Sequence, residues 1–84
     1  MDVTPEARRH LDRLPDRLRG AVLAAIFDAI AVNPRRAGKP LRGELEGLHS
    51  ARRGDFRIIY EVIEAERTVV IHRAARRNDV YRPR

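Results

Sequence analysis

The chain has 84 residues, 43% hydrophobic and 36% charged, with a net charge of +6 and a pI of about 11.2. That balance is globular rather than disordered, and residues 1–84 are read as one domain, near the lower limit for folding on a single core. The absence of cysteine excludes a disulfide framework and thiolate metal sites, and suits a reducing cytoplasm.

The first residues, Met1-Asp2-Val3-Thr4-Pro5, carry no charged leader and no apolar run, so they do not read as a signal peptide. The longest apolar run, from Gly20 to Phe27, is closed by Asp28 and falls far short of a membrane span. The positive charge points to a polyanionic partner, whether nucleic acid or an acidic protein. Of the 18 basic residues, 17 are arginine and only Lys39 is lysine. Arginine suits phosphate recognition because its planar fork meets two oxygens at once; codon bias in an alanine-rich chain is the plain alternative. Residues 1–47 hold 9 basic and 7 acidic side chains, and residues 48–84 hold 9 and 5, so the positive excess leans toward the second half.

Thr4-Pro5-Glu6 reads as a helix start, with Thr4 as N-cap, Pro5 at the first helical position and Glu6 in the first turn. Ala7, Leu11 and Leu14 follow at helical spacing, and Pro15 interrupts. A second helix is predicted from about Pro15 to Val32, with Leu18, Val22, Ile26 and Ile30 stepping by four and Asn33-Pro34 ending it. The two form a helical hairpin with one apolar face. Arg35 to Gly47, with its three glycines and Pro40, reads as a loop with a brief turn, tacked to the core by Leu41, Leu45 and Leu48.

The remainder reads as strands. Leu48 to Arg53 is the first, with Gly54-Asp55 as its turn. Phe56 to Ile63 is the strongest, by its β-branched and aromatic content. Glu64 to Arg67 is a tight polar connection, and Thr68 to Arg73 is the third strand. The predicted fold is therefore α+β: an N-terminal helical hairpin packed on a small antiparallel sheet in a two-layer sandwich.

Alternation on the middle strand separates Phe56, Ile58, Tyr60 and Val62, the natural core face, from Arg57, Ile59, Glu61 and Ile63 on the open face. If the first strand pairs across Gly54-Asp55, Ser50 and Arg52 share that open face, but the sequence leaves the turn register undetermined. A face lined by Arg52, Arg57 and Arg76, with Tyr81 at its rim, has the chemistry of a phosphate-and-base pocket, arginines holding the backbone and a ring stacking on a base. The plain alternative is a set of solvated arginines pairing with Glu61, Glu64, Glu66 and Asp79.

The stretch from Gly38 to Tyr60 resembles the central motif of the RelE/ParE toxins. Lys39-Pro40-Leu41 and Leu45-Glu46-Gly47 lead into Arg52-Arg53-Gly54-Asp55-Phe56-Arg57-Ile58-Ile59-Tyr60. Arg76-Arg77-Asn78-Asp79-Val80-Tyr81 is similar to the closing element of the same family, and the helical part is similar too. The resemblance implies a toxin of a type II toxin–antitoxin system. Ribosome-dependent members cut messenger RNA by driving the 2′-hydroxyl onto the adjacent phosphate, with no metal and no cofactor. Carried over by position, Arg57 and Arg76 are the transition-state clamps, Tyr81 orients or stacks on the nucleotide, and Arg52 holds phosphate. Arg77 stands in for Arg76 if the spacing differs by a residue, and Arg53, Arg73 and Arg77 add to RNA binding. The implied partners are a cognate antitoxin, the ribosome and messenger RNA. No membrane is involved, and operator DNA is reached only through the antitoxin.

The chain departs from that pattern in four places. Leu48 and Ser50 stand where the best-known ribosome-dependent member has lysines, and Ala75 stands where some relatives have a histidine. Arginine does not readily give up its proton, so no general base is evident on that strand. His49 is a candidate acid or base by its titration range, although alternation turns it toward the helices with Ala51. Only Met1 to Thr4 precede the first helix, where relatives begin with a full strand. The edge strand is either stunted or continued upstream. Two other functions stay open: a ParE-like inhibitor of DNA gyrase acting by protein contact, and a weakened remnant that only binds an antitoxin.

Overall fold

Thr4 opens the first helix as its side chain predicts. In the computed structural model, which describes residues 1–76, its hydroxyl oxygen accepts the Ala7 N–H at 3.1 Å and caps α1 (Pro5–Asp12). The same hydroxyl donates to the His72 carbonyl at 3.2 Å, which ties the helix start to the last strand. One apolar stripe of α1, Ala7 and Leu11, is buried.

The break at Leu14-Pro15 is held by a residue with no apolar role. Arg19 of α2 (Asp16–Ala25) reaches back, its Nε donating to the Leu11 carbonyl at 2.9 Å. One terminal nitrogen donates to the carbonyls of Leu14, at 2.9 Å, and Asp12, at 3.1 Å. The last carbonyls of a helix lack intrahelical donors, and one guanidinium reaches two of them here, Leu11 and Asp12, together with the Leu14 carbonyl just beyond the helix.

The predicted second helix changes its winding before it ends. Ile26–Ile30 forms a π turn, closed by the Ala31 N–H on the Ile26 carbonyl at 2.8 Å. This wider turn keeps Ile26 and Ile30 in the core and leaves Phe27 57% exposed. The segment read as a loop also carries regular structure. Pro34 starts a single helical turn, α3 (Pro34–Ala37), and a short 3₁₀ turn covers Gly43–Leu45.

The sheet has five strands in the order β1-β5-β4-β3-β2. The predicted meander is its centre: β3 (Leu48–Arg53), β4 (Phe56–Ile63) and β5 (Thr68–Arg76). Two two-residue edges extend it, β1 (Asp2–Val3) parallel to β5 and β2 (Lys39–Pro40) antiparallel to β3. The sheet is therefore mixed rather than purely antiparallel, because the chain enters along β5 before turning into α1.

Phe56, Ile58 and Tyr60 face the helices as alternation predicts, against Val22, Ile26 and Ile30. On β5 simple alternation fails. Ile59 pairs with Arg73 but Tyr60 pairs with Ile71, so His72 is an extra residue forming a β-bulge. The bulge lets Val69, Ile71 and Ala74 all reach the core although their spacing is not uniformly two. Beyond β1, α1 covers the edge of β5, and His10 Nδ1 accepts the Ala74 N–H at 3.2 Å. No helix among the described residues is long and apolar enough to cross a membrane.

Candidate nucleic-acid interface

The open face of the sheet is set by the hairpin between β3 and β4. Gly54 turns the chain with a φ of +59°, a conformation that favours glycine. The resulting register places Arg52 opposite Arg57 and Ser50 opposite Ile59. Directly opposed residues share a face, so Arg52 and Arg57 point the same way. β2 then adds Lys39 opposite Ser50. Lys39, Ser50, Arg52 and Arg57 line one groove of about 540 Å³, bounded on one side by Gly38 and Pro40.

Gly38 lets β2 come this close. A Cβ there would lie 2.5 Å from the Ser50 carbonyl oxygen and 2.6 Å from the Tyr60 hydroxyl. Tyr60 itself donates to the Pro34 carbonyl, fixing α3 against the sheet, and burial pushes its hydroxyl pKa above the ordinary value.

Three of the described carboxylates are engaged away from this groove. Glu64 binds Arg35, Glu61 accepts from His72 Nε2 at 3.1 Å, and Glu6 lies 3.7 Å from Arg73 Nε. Among the described residues neither Arg52 nor Arg57 has an ion-pair partner. Two like charges opposite each other cost stability, so the pair is not there to hold the sheet together.

The other predicted site residues divide between the faces. Arg76 pairs with Phe56, and Arg53 pairs with it from the opposite side, so both leave the sheet toward the helices. Arg53 lines a separate groove there with Leu18, Val22 and Phe56. Ala75, not Arg76, is opposite Arg57. Arg52 and Arg57 are thus brought together, while the described register separates both from Arg76. Arg73 pairs with Ile59 on the open face and is drawn toward Glu6.

His49 does not meet Arg57. It lies beside Pro40 and Tyr60 in the register, with its ring stacked on Tyr60 at 5.4 Å and 21°. Its Nδ1 is buried with no hydrogen-bond partner among the described residues. Arg77 and Tyr81 lie outside the described residues. Lys39, which sequence reading used only as a motif marker, is in the groove. Its being the chain's single lysine is the one local signal that could have singled it out.

The family described as ParE toxin of type II toxin-antitoxin system, parDE, matches residues 1–81. The chain belongs to this RelE/ParE toxin family. It is 46% identical over 80 residues to Toxin RelE of Mycobacterium tuberculosis, covering 95% of this chain and 82% of that protein. It is 47% identical over 79 residues to Toxin RelG of the same organism, covering 94% and 91%. Among solved structures it resembles a chain of the RelBE2 toxin–antitoxin complex from M. tuberculosis, with a TM-score of 0.84 and 45% identity, covering 89% of this chain and 93% of that one. The isolated E. coli RelE toxin shares the fold at a TM-score of 0.75 and 22% identity, covering 95% and 87%. These matches agree with the α+β fold of this toxin.

Proposed function

We propose that this toxin cuts messenger RNA on the ribosome, with the open sheet face as its RNA-binding surface. The observation that carries this reading is the Arg52–Arg57 pair, opposed across the β3–β4 ladder with no carboxylate partner among the described residues. An unneutralised guanidinium pair beside a groove is suited to phosphate, which both forks can grip in two places. During 2′-hydroxyl attack negative charge builds on the phosphate oxygens, and cations already in place stabilise it without reorganising. Arg57, partly buried at the middle of the sheet, is the transition-state clamp, and Arg52 holds the phosphate. Tyr81 and Arg77 are proposed to complete the nucleotide contact. A cognate antitoxin is the expected protein partner, its acidic side chains lowering the charge repulsion on this face. The toxin is expected to act in the cytoplasm, where ribosomes are.

A second reading, a gyrase inhibitor working by protein contact, is supported by Ala75 standing opposite Arg57, where a second clamp is lacking. In vitro translation with purified toxin, followed by primer extension on the programmed messenger, separates the two. Discrete cuts that need ribosomes and vanish with Arg57→Ala support the nuclease. Intact messenger with unimpaired translation moves the assignment to gyrase, tested by a supercoiling assay.

A further inference from the structure

We infer that Lys39 is the proton donor of the groove, delivering a proton to the oxygen that leaves when RNA is cut. This deepens the nuclease reading and rests on it. In the reaction the 2′-oxygen forms a bond to the adjacent phosphorus, and the bond from phosphorus to the 5′-oxygen of the next nucleotide breaks. The products are a 2′,3′-cyclic phosphate and a 5′-hydroxyl. The 2′-hydroxyl loses its proton to solvent water, and the departing 5′-oxygen must gain one.

Among the described residues of the groove only Lys39 is suited to supply it. Arg52 and Arg57 keep their protons, and the Ser50 hydroxyl is a weak acid. His49 turns to the other face against Tyr60, and His72 is held by Glu61 further along the sheet. Lys39 stands opposite Ser50 at the sheet edge, exposed and with no ion-pair partner among the described residues. Its strand is two removed from Arg57 and offset by two residues, which puts the two backbones about 12 Å apart. Two extended basic side chains, each about 6 Å long, close that gap on one phosphodiester. Arg57 then grips the non-bridging oxygens while the lysine ammonium, a flexible donor, meets the leaving oxygen and is reprotonated from solvent afterwards.

The test compares wild type, Lys39→Arg and Arg57→Ala on ribosomes programmed with two synthetic messengers. One has an ordinary scissile phosphate; the other carries sulfur in place of the bridging 5′-oxygen. A thiolate leaves without a proton, so it needs no acid. On the ordinary messenger Lys39→Arg is expected to cut roughly 100-fold more slowly than wild type. On the sulfur messenger it should match wild type, while Arg57→Ala stays slow on both. Equal rates for Lys39→Arg and wild type on the ordinary messenger overturn the inference and leave the nuclease reading standing. An equal deficit on both messengers also overturns it, because Lys39 then binds or packs rather than donates. No cutting of either messenger by the wild type removes the nuclease reading and this inference together.

Discussion

Arg52 and Arg57 occupy directly opposed positions of the β3–β4 ladder, two like charges on one face of the sheet. A cross-strand pair of this kind is destabilising by a few tenths of a kcal/mol up to about 1 kcal/mol. Replacing Arg57 by Gln should therefore leave the melting temperature unchanged or raise it, by up to about 4–8 °C, while abolishing toxicity. Thermal denaturation beside a growth or translation assay checks both arms. A clear loss of stability in Arg57→Gln would show that the pair supports the fold and would undercut its assignment as a binding site.

The faces of Arg57 and Arg76 make a second prediction. Arg76 is paired with Phe56 and leaves the sheet on the helix side. Arg57→Ala should lower single-turnover cleavage by about 100-fold or more, and Arg76→Ala should cost no more than about a tenth of that factor. Equal losses at the two positions would mean that RNA reaches both faces at the end of the sheet.

Why sequence reading joined these two arginines, and the structure does not, has a physical explanation. The N-cap at Thr4, the turn at Gly54-Asp55 and the core set Phe56, Ile58 and Tyr60 were legible because caps, turns and alternation are local properties. Which face Arg76 takes depends on how β5 registers against β4, and that pairing is non-local. The bulge at His72 has no turn residue to announce it. Of the two edge strands, Asp2–Val3 was expected only through the family resemblance, as a stunted strand, and Lys39–Pro40 was missed, for a related reason. Asp2–Val3 and Lys39–Pro40 are too short for any pattern, and they become strands only through partners distant in sequence. The position of Lys39 in the groove was hidden with the second.

Gly38 sets the distance between β2 and the core. With Ser50 O and Tyr60 Oη inside the space of a new Cβ, Gly38→Ala must push β2 outward. A loss of about 1–3 kcal/mol is expected from chemical denaturation. Tyr60→Phe removes one of the two obstacles, so the double variant should lose less than the sum of the singles. Strict additivity would show that the hydroxyl is not what Gly38 avoids.

Tyr60 also predicts the behaviour of the fold in alkali. Burial raises its folded-state pKa above the ordinary value of 10.0. In the unfolded chain the phenol ionises first, so its contribution is fully present below about pH 10 and is lost as pH rises toward the folded value. Stability should fall above pH 10 in the wild type and fall less steeply in Tyr60→Phe, measured by urea denaturation across that range. Parallel curves would mean that another group controls the alkaline transition.

Arg19 offers the sharpest test of how the helical hairpin is held. Its guanidinium donates to the carbonyls of Leu11, Asp12 and Leu14 and to Asp16, whose carboxylate is 3.1 Å away. The carboxylate is almost fully exposed, so that contact contributes little. The carbonyl contacts end α1 and fix its angle to α2, and they depend on a planar fork that lysine lacks. Arg19→Lys should therefore cost nearly as much as Arg19→Met, about 1–3 kcal/mol in each case, whereas Asp16→Ala should cost only a few tenths. If Lys restores wild-type stability, charge at that position is sufficient and the fork geometry is not what joins the helices.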